Sequence, residues 1–222
     1  MSARPKTRAA VGRTALARLL LPAVLAAVLA PLLPACGLSR PYPFVRSFSL
    51  DPGGGPVMTD KAARPLLVQV ASSGAASQYE TKKLVHKIGP NEFREDFYSE
   101  LVGLPSRLVA EAAAGWLDAG SRRLRAAAGL GAQPPDLLLD LYVVVFQGNY
   151  GLPSPAAEIE VRLTLTDQRR RRPPVLLAGT YKASSPLDPA APDQPAELAA
   201  ALGRALGKIL TDAQTDIERG VP

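Results

Sequence analysis

Hydrophobic positions along this chain follow two different periods. Residues 157–167 alternate: Ala157, Ile159, Val161, Leu163 and Leu165 fall on one side, Glu158, Glu160, Arg162, Thr164 and Thr166 on the other. That period of two marks a strand with one buried face. Residues 137–147 form the most apolar stretch, interrupted by Asp140, as expected of a strand at the centre of a sheet. Shorter apolar or alternating runs predict further strands over 44–50, 66–71, 78–88, 93–102 and 175–183. Gly89-Pro90-Asn91 makes the strands on either side of it a hairpin. Residues 51–65, opened by Asp51-Pro52-Gly53-Gly54-Gly55-Pro56, together with 72–77 and 168–174, read as loops.

Helical spacing takes over in two places. Leu108, Ala112 and Trp116, flanked by Val109, Ala113 and Leu117, form a broad apolar stripe. Pro105 suits the first turn, where its missing N–H removes no bond. The stripe predicts a helix from Pro105 to about Ala128, with Arg122, Arg123 and Arg125 complementing the dipole of its last turns. Leu198, Leu202, Leu206, Ile209, Ala213 and Ile217 predict a second helix over 196–218. Strands, helix, strands, helix is the order of an α+β two-layer sandwich: a mainly antiparallel sheet with two helices on one face. The alternation in 157–167 leaves the other face at least partly wet.

Residues 1–35 break both patterns. Arg4, Lys6, Arg8, Arg13 and Arg18 precede an apolar run from Leu19 to Leu33, interrupted by prolines and shorter than a membrane-spanning helix needs. This is the order of an export signal. Leu33-Pro34-Ala35-Cys36-Gly37 resembles a lipobox, which predicts cleavage before Cys36 and acylation of its thiol, the one side chain here nucleophilic enough for alkylation. The expected division is a signal peptide over 1–35, a lipidated tether over 36–43 and one α/β domain over 44–220. Gly37, where an aspartate commonly retains a lipoprotein at the inner membrane, favours the outer membrane, with the domain facing the periplasm.

Removing the signal changes the electrostatics. Of a formal net charge of +6, five units lie in the first 35 residues, leaving +1. The basic pI of about 9.7 therefore does not argue for a nucleic-acid partner. Cys36 is the single cysteine and His86 the single histidine, so neither an intramolecular disulfide nor a thiolate or histidine metal cluster is expected. His86 lies mid-strand with no serine or acid motif beside it and reads as structural. Gly203-Arg204-Ala205-Leu206-Gly207-Lys208-Ile209 glances toward a phosphate loop. It has three residues between its glycines, lacks the hydroxyl residue after the lysine, and sits in a helical pattern. Glu158 and Glu160 share a strand face, but Arg162 continues the row, as on a solvated surface. No catalytic residue, metal or cofactor is expected.

The densest charge cluster after the signal is Arg169, Arg170, Arg171 and Arg172, between two predicted strands. It reads either as a solvated hairpin tip or as a contact for anionic headgroups or an acidic protein surface, since guanidinium groups grip phosphate and carboxylate bidentately.

Several short elements resemble the auxiliary lipoproteins of Mce-type ABC transport systems, including the lipoprotein components of paraquat-inducible assemblies. They are Phe48-Ser49-Leu50-Asp51-Pro52 soon after the cysteine, Leu67-Val68-Gln69-Val70, Leu84-Val85-His86-Lys87, Phe97-Tyr98-Ser99-Glu100-Leu101 and Leu104-Pro105-Ser106-Arg107-Leu108. Where family members often carry a tryptophan after the tyrosine, this chain has Leu101 or Val102. The resemblance implies a fold similar to the amino-terminal domain of TolB-like proteins. It also implies a non-enzymatic role in lipid transport, with an Mce-domain protein or ABC transporter subunits as partners and the membrane engaged through the lipid. Only Cys36 maps as a functional residue. The alternative is a structural or assembly lipoprotein that binds an outer-membrane protein or a cell-wall enzyme.

Overall fold

The computed structural model describes residues 44–129 and 133–221. Eight strands and two long helices follow in the order β1 (Arg46–Phe48), β2 (Leu66–Ala75), β3 (Lys83–Lys87), β4 (Phe93–Leu101), α1 (Pro105–Gly120), β5 (Leu124–Ala128), β6 (Leu137–Asn149), β7 (Ala156–Asp167), β8 (Val175–Pro186) and α2 (Gln194–Gly220). The protein is α+β, with one open mixed sheet. Its longest ladders, β6–β7 and β7–β8, are antiparallel, as is β3–β4. The β2–β5, β2–β6, β3–β6 and β1–β4 pairs are parallel.

β6 is the spine. One of its edges pairs with β7 throughout. Its other edge is shared, with β2 alongside Leu137–Val143 and β3 alongside Gly148 and Asn149. Beyond these lie β5 and β4, and β1 closes the β4 side. Leu139, Leu141, Val161 and Leu163 from the sheet meet Val109, Ala113 and Leu117 of α1 and Leu206, Ile209 and Ile217 of α2, so both helices cover one face. The expected core leucines of α2 are almost fully buried: Leu198, Leu202 and Leu206 are at most 1% exposed.

Two expected boundaries move. α1 stops at Gly120 and the arginines 122, 123 and 125 do not lie in its last turn; the chain instead re-enters the sheet as β5. The alanine-rich sequence is a good helix former, but β2 offers an unpaired edge, and parallel pairing with it places Leu124 in the core at 0% exposure. Tertiary burial overrides local propensity. Lys61 closes the helix end, its ammonium donating to the carbonyls of Asp118, Ser121 and Leu124. The second change is in 72–88. β2 continues through the expected loop to Ala75, with a bulge between Ser72 and Gly74 where Gly74 takes φ of 110°. β3 begins only at Lys83, because Ser77–Tyr79 forms a 3-10 turn that buries Tyr79.

The glycine-rich loop after β1 runs across the outside of the helices. A Cβ at Gly203 would lie 1.9 Å from the Asp51 carbonyl oxygen, and one at Gly207 2.3 Å from that of Pro52. The phosphate-loop lookalike is thus a notch of two glycines one turn apart on α2, and the backbone of residues 51–52 lies in it. Farther on, Gly55 packs on the Trp116 ring and Pro56 against Gly120.

Candidate functional site

With both helices on one side, the opposite face of β6, β7 and β8 is open. The alternation of β7 puts Glu158, Glu160 and Arg162 there, and register aligns them with Gln147, Val145 and Tyr142 of β6 and with Ser184, Lys182 and Thr180 of β8. Val145, Glu158, Glu160, Lys182 and Ser184 line a shallow, open concavity of about 430 Å³. Arg162 lies over the Tyr142 ring, 5.8 Å from its centroid, a cation–π contact that fixes the guanidinium to the surface.

One end of this face is a closed hydrogen-bond network. Tyr79, carried in by the 3-10 turn, donates its hydroxyl to Gln147 Oε1. Gln147 Nε2 donates to Glu158 Oε2 at 2.8 Å, and Asn149 Nδ2 donates to Glu158 Oε1 at 3.0 Å. Gln147 and Asn149 are buried, at 4% and 6% exposure, so each amide needs these partners. Burial raises the Tyr79 hydroxyl pKa above its usual value, with the Glu158 charge adding to the shift, which keeps the phenol a donor. Glu158 is thereby an acceptor held on both oxygens, an arrangement that positions the carboxylate. The amides went unnoticed in the sequence because they sit at the end of the apolar β6 run. Their signal is two polar residues spaced by two, opposite a glutamate.

His86 sits on β3, half-buried, with its Nε2 3.9 Å from Asp96 and its ring 5.2 Å from that of Tyr150. Desolvation holds its pKa below the ordinary value, and the Asp96 carboxylate opposes the shift. Through Gly148 of β6 it stands in register with Ala157, the residue before Glu158, but alternation puts Glu158 and Glu160 on the opposite face of the sheet, and the structure does not bring the two together. Among the described residues no group of three or more His, Cys, Asp or Glu is arranged to hold a metal ion. Trp116 is 8% exposed and belongs to the core.

The four arginines divide. Asp167, the last residue of β7, is 2% exposed. It accepts Arg169 N at 3.0 Å and Nε at 2.9 Å on Oδ1, and the second guanidinium nitrogen at 2.9 Å on Oδ2. This fork pulls the Asp167 pKa down to about 2. Arg169 therefore serves the turn itself, with Arg170 3.8 Å from the same carboxylate. Arg171 and Arg172 are exposed at the tip. Cys36 lies outside the described residues, as do the signal and tether segments. No helix among the described residues is long and apolar enough to cross a membrane.

No protein-family model matches the chain, and no curated protein matches it. Solved structures do. Protein XCC0632 from Xanthomonas campestris, assigned to the family model DUF330, aligns over 80% of this chain and 95% of its own, with a TM-score of 0.61 and 19% identity. An uncharacterized protein of known crystal structure aligns over 78% of this chain and 99% of its own, with a TM-score of 0.54 and 13% identity. At these identities the likeness is one of fold: the chain is similar, over nearly the whole described domain, to an architecture found in a DUF330 protein.

Proposed function

We propose that this chain is a lipid-anchored, non-enzymatic accessory subunit of an envelope ABC transport system of the Mce type, serving lipid transport from the outer membrane and docking its partner on the open sheet face. The observation that carries the docking role is that face: a strand-borne row of charged side chains beside a closed polar network, on rigid elements and left uncovered by the helices. Side chains held on strands by their own hydrogen bonds bind with little ordering cost. The lipobox-like Leu33–Gly37 segment supports the anchor, and the short motifs from Phe48 to Leu108 support the transport assignment.

The test is a photo-crosslinking amino acid at Thr180 or Lys182 on the open face, with Arg107 on the exposed side of α1 as the control position. An adduct with an Mce-domain protein from the face positions and none from Arg107 is the expected result; adducts only from Arg107 would place docking on the helices. Labelling with a fatty acid analogue should mark the wild type and not Cys36→Ser. Ester or ATP turnover by the purified domain that disappears with Glu158→Gln or Glu160→Gln overturns the non-enzymatic reading.

A further inference from the structure

A second surface lies at the opposite edge of the sheet, where β1 joins β4. β4 carries three more residues than β3 between their paired positions: Lys83 faces Glu100, yet Val85 faces Glu95. The excess forms a bulge at residues 96–98, stiffened by Asp96 Oδ1 accepting the Tyr98 N–H at 2.9 Å and by Lys83 Nζ donating to the Phe97 carbonyl at 3.3 Å. Bulges re-aim side chains. This one turns out two consecutive aromatics: Phe97 is 67% and Tyr98 49% exposed, and their rings meet edge to face at 4.9 Å. Phe44 is 85% exposed and lies two residues before Arg46, whose partner in the parallel β1–β4 ladder is Ser99. Phe97 is likewise two before Ser99, so the register brings Phe44 toward the same knuckle.

Exposed aromatics gathered this way cost solubility unless something covers them. The short stretch of chain between Cys36 and β1 points to the cover. Seven residues separate Cys36 from Phe44, and the eight Cα-to-Cα steps, fully extended, span no more than roughly 29 Å. An acyl chain on Cys36 thus keeps this edge, where the chain enters the domain, within reach of the bilayer surface. Phenylalanine and tyrosine side chains partition into the boundary between headgroups and acyl chains. A single acyl chain gives marginal binding that a second contact strengthens.

We propose that Phe44, Phe97 and Tyr98 form a membrane-inserting knuckle that seats the β1–β4 edge on the lipid surface beside the anchor and leaves the open face of β6–β8 free for a partner. This rests on the lipid-anchor reading above. The knuckle orients the domain; the lipid retains it.

In the acylated protein Cys36 is blocked, so a cysteine introduced elsewhere is the only free thiol. A bimane probe on Glu95→Cys, beside the knuckle, and another on Val175→Cys, at the far edge on β8, are compared after reconstitution into phosphatidylethanolamine–phosphatidylglycerol vesicles containing doxyl-labelled lipid. Strong quenching at Glu95→Cys and little at Val175→Cys is expected, with Phe97→Ser/Tyr98→Ser lowering the first to the level of the second. Equal quenching at both sites, or none at either, overturns the proposal; the second result leaves the knuckle to a protein partner. Acylation is read separately as the mass added to Cys36. If that mass is missing the anchor reading fails. The knuckle is then decided in a Cys36→Ser background at raised lipid concentration, where Phe97→Ser/Tyr98→Ser should cut vesicle binding roughly tenfold and an unchanged affinity overturns it.

Discussion

Arg169 and Arg171 are two positions apart and chemically identical, yet their side chains do different jobs. Arg169 satisfies a nearly buried carboxylate with three hydrogen bonds, and Arg169→Ser removes the two from its guanidinium, leaving Asp167 only the backbone N–H and Arg170 at 3.8 Å. Arg169→Ser is expected to lower the urea midpoint of unfolding clearly, and Arg171→Ser with Arg172→Ser to leave it in place while weakening partner capture more at low salt than at high salt. Equal stability of the two variants would falsify the division. The depressed Asp167 pKa sets a sign as well: the carboxylate stabilises the fold above the unfolded value of about 4. That contribution is lost as pH falls through about 2. His86 offers a second titration, free of assignment problems because it is the single histidine. Its proton NMR midpoint should lie below the ordinary value, and the fold should lose stability as pH falls through the interval between the two. Asp96→Asn, which removes the opposing charge, should lower the midpoint further; a rise would show that the carboxylate does not act on the ring. The sequence disclosed the arginine cluster as a cluster. It concealed the split, because Asp167 reads as the polar end of an alternating strand until burial is known.

At the scale of elements, strong periodicity was legible and competition between partners was not. β6, β7 and α2 lie where alternation, apolar run and helical spacing placed them, since each buries one clear face. α1 ends eight residues early because the edge of β2 competes for residues 124–128, a long-range pairing with no local mark. The glycines of α2 were legible as glycines but not as a seat. Each lowers helix propensity by about 1 kcal/mol against alanine, so Gly203→Ala on an isolated helix stabilises. In this protein the added methyl meets the Asp51 carbonyl, and displacing the backbone there should outweigh the propensity gain. A net destabilisation of about 1–3 kcal/mol in chemical denaturation is expected, the range of overpacking. A stabilised Gly203→Ala would mean that residues 51–52 do not rest on the helix in solution.

For the whole molecule, the two-layer plan was legible because it follows from two amphipathic helices and one alternating sheet. The mixed topology was not, since the three-residue β1 and the five-residue β5 carry too short a pattern to reveal their parallel pairing. The open face was foreseen from β7 alone. The network that organises it needed Tyr79 from a turn remote in sequence, and the aromatic knuckle needed a bulge that residue alternation cannot show.

The crossing of residues 51–56 over the helices has a mechanical side. Tension applied at the amino-terminal end of the domain reaches β1 first, which holds β4 by three residue pairs and the cap of α2 by the Arg46–Asp193 contact at 2.6 Å. Next in line are the backbone resting on Gly203 and Gly207, the packing of Gly55 and Pro56 on α1 and the bonds of Met58, Lys61 and Ala62 to its end, and only then the ten-residue β2 inside the sheet. Pulling should therefore peel residues 46–65 as one early, low-force event that lengthens the chain by up to roughly 65 Å, while the β6–β7–β8 ladders stay intact. Optical tweezers gripping residue 44 and the carboxyl terminus would register it as a short reversible step before the main rupture, at lower force in Arg46→Ala. A fold built this way pays out slack under load, lengthening at its amino-terminal end without the domain coming apart.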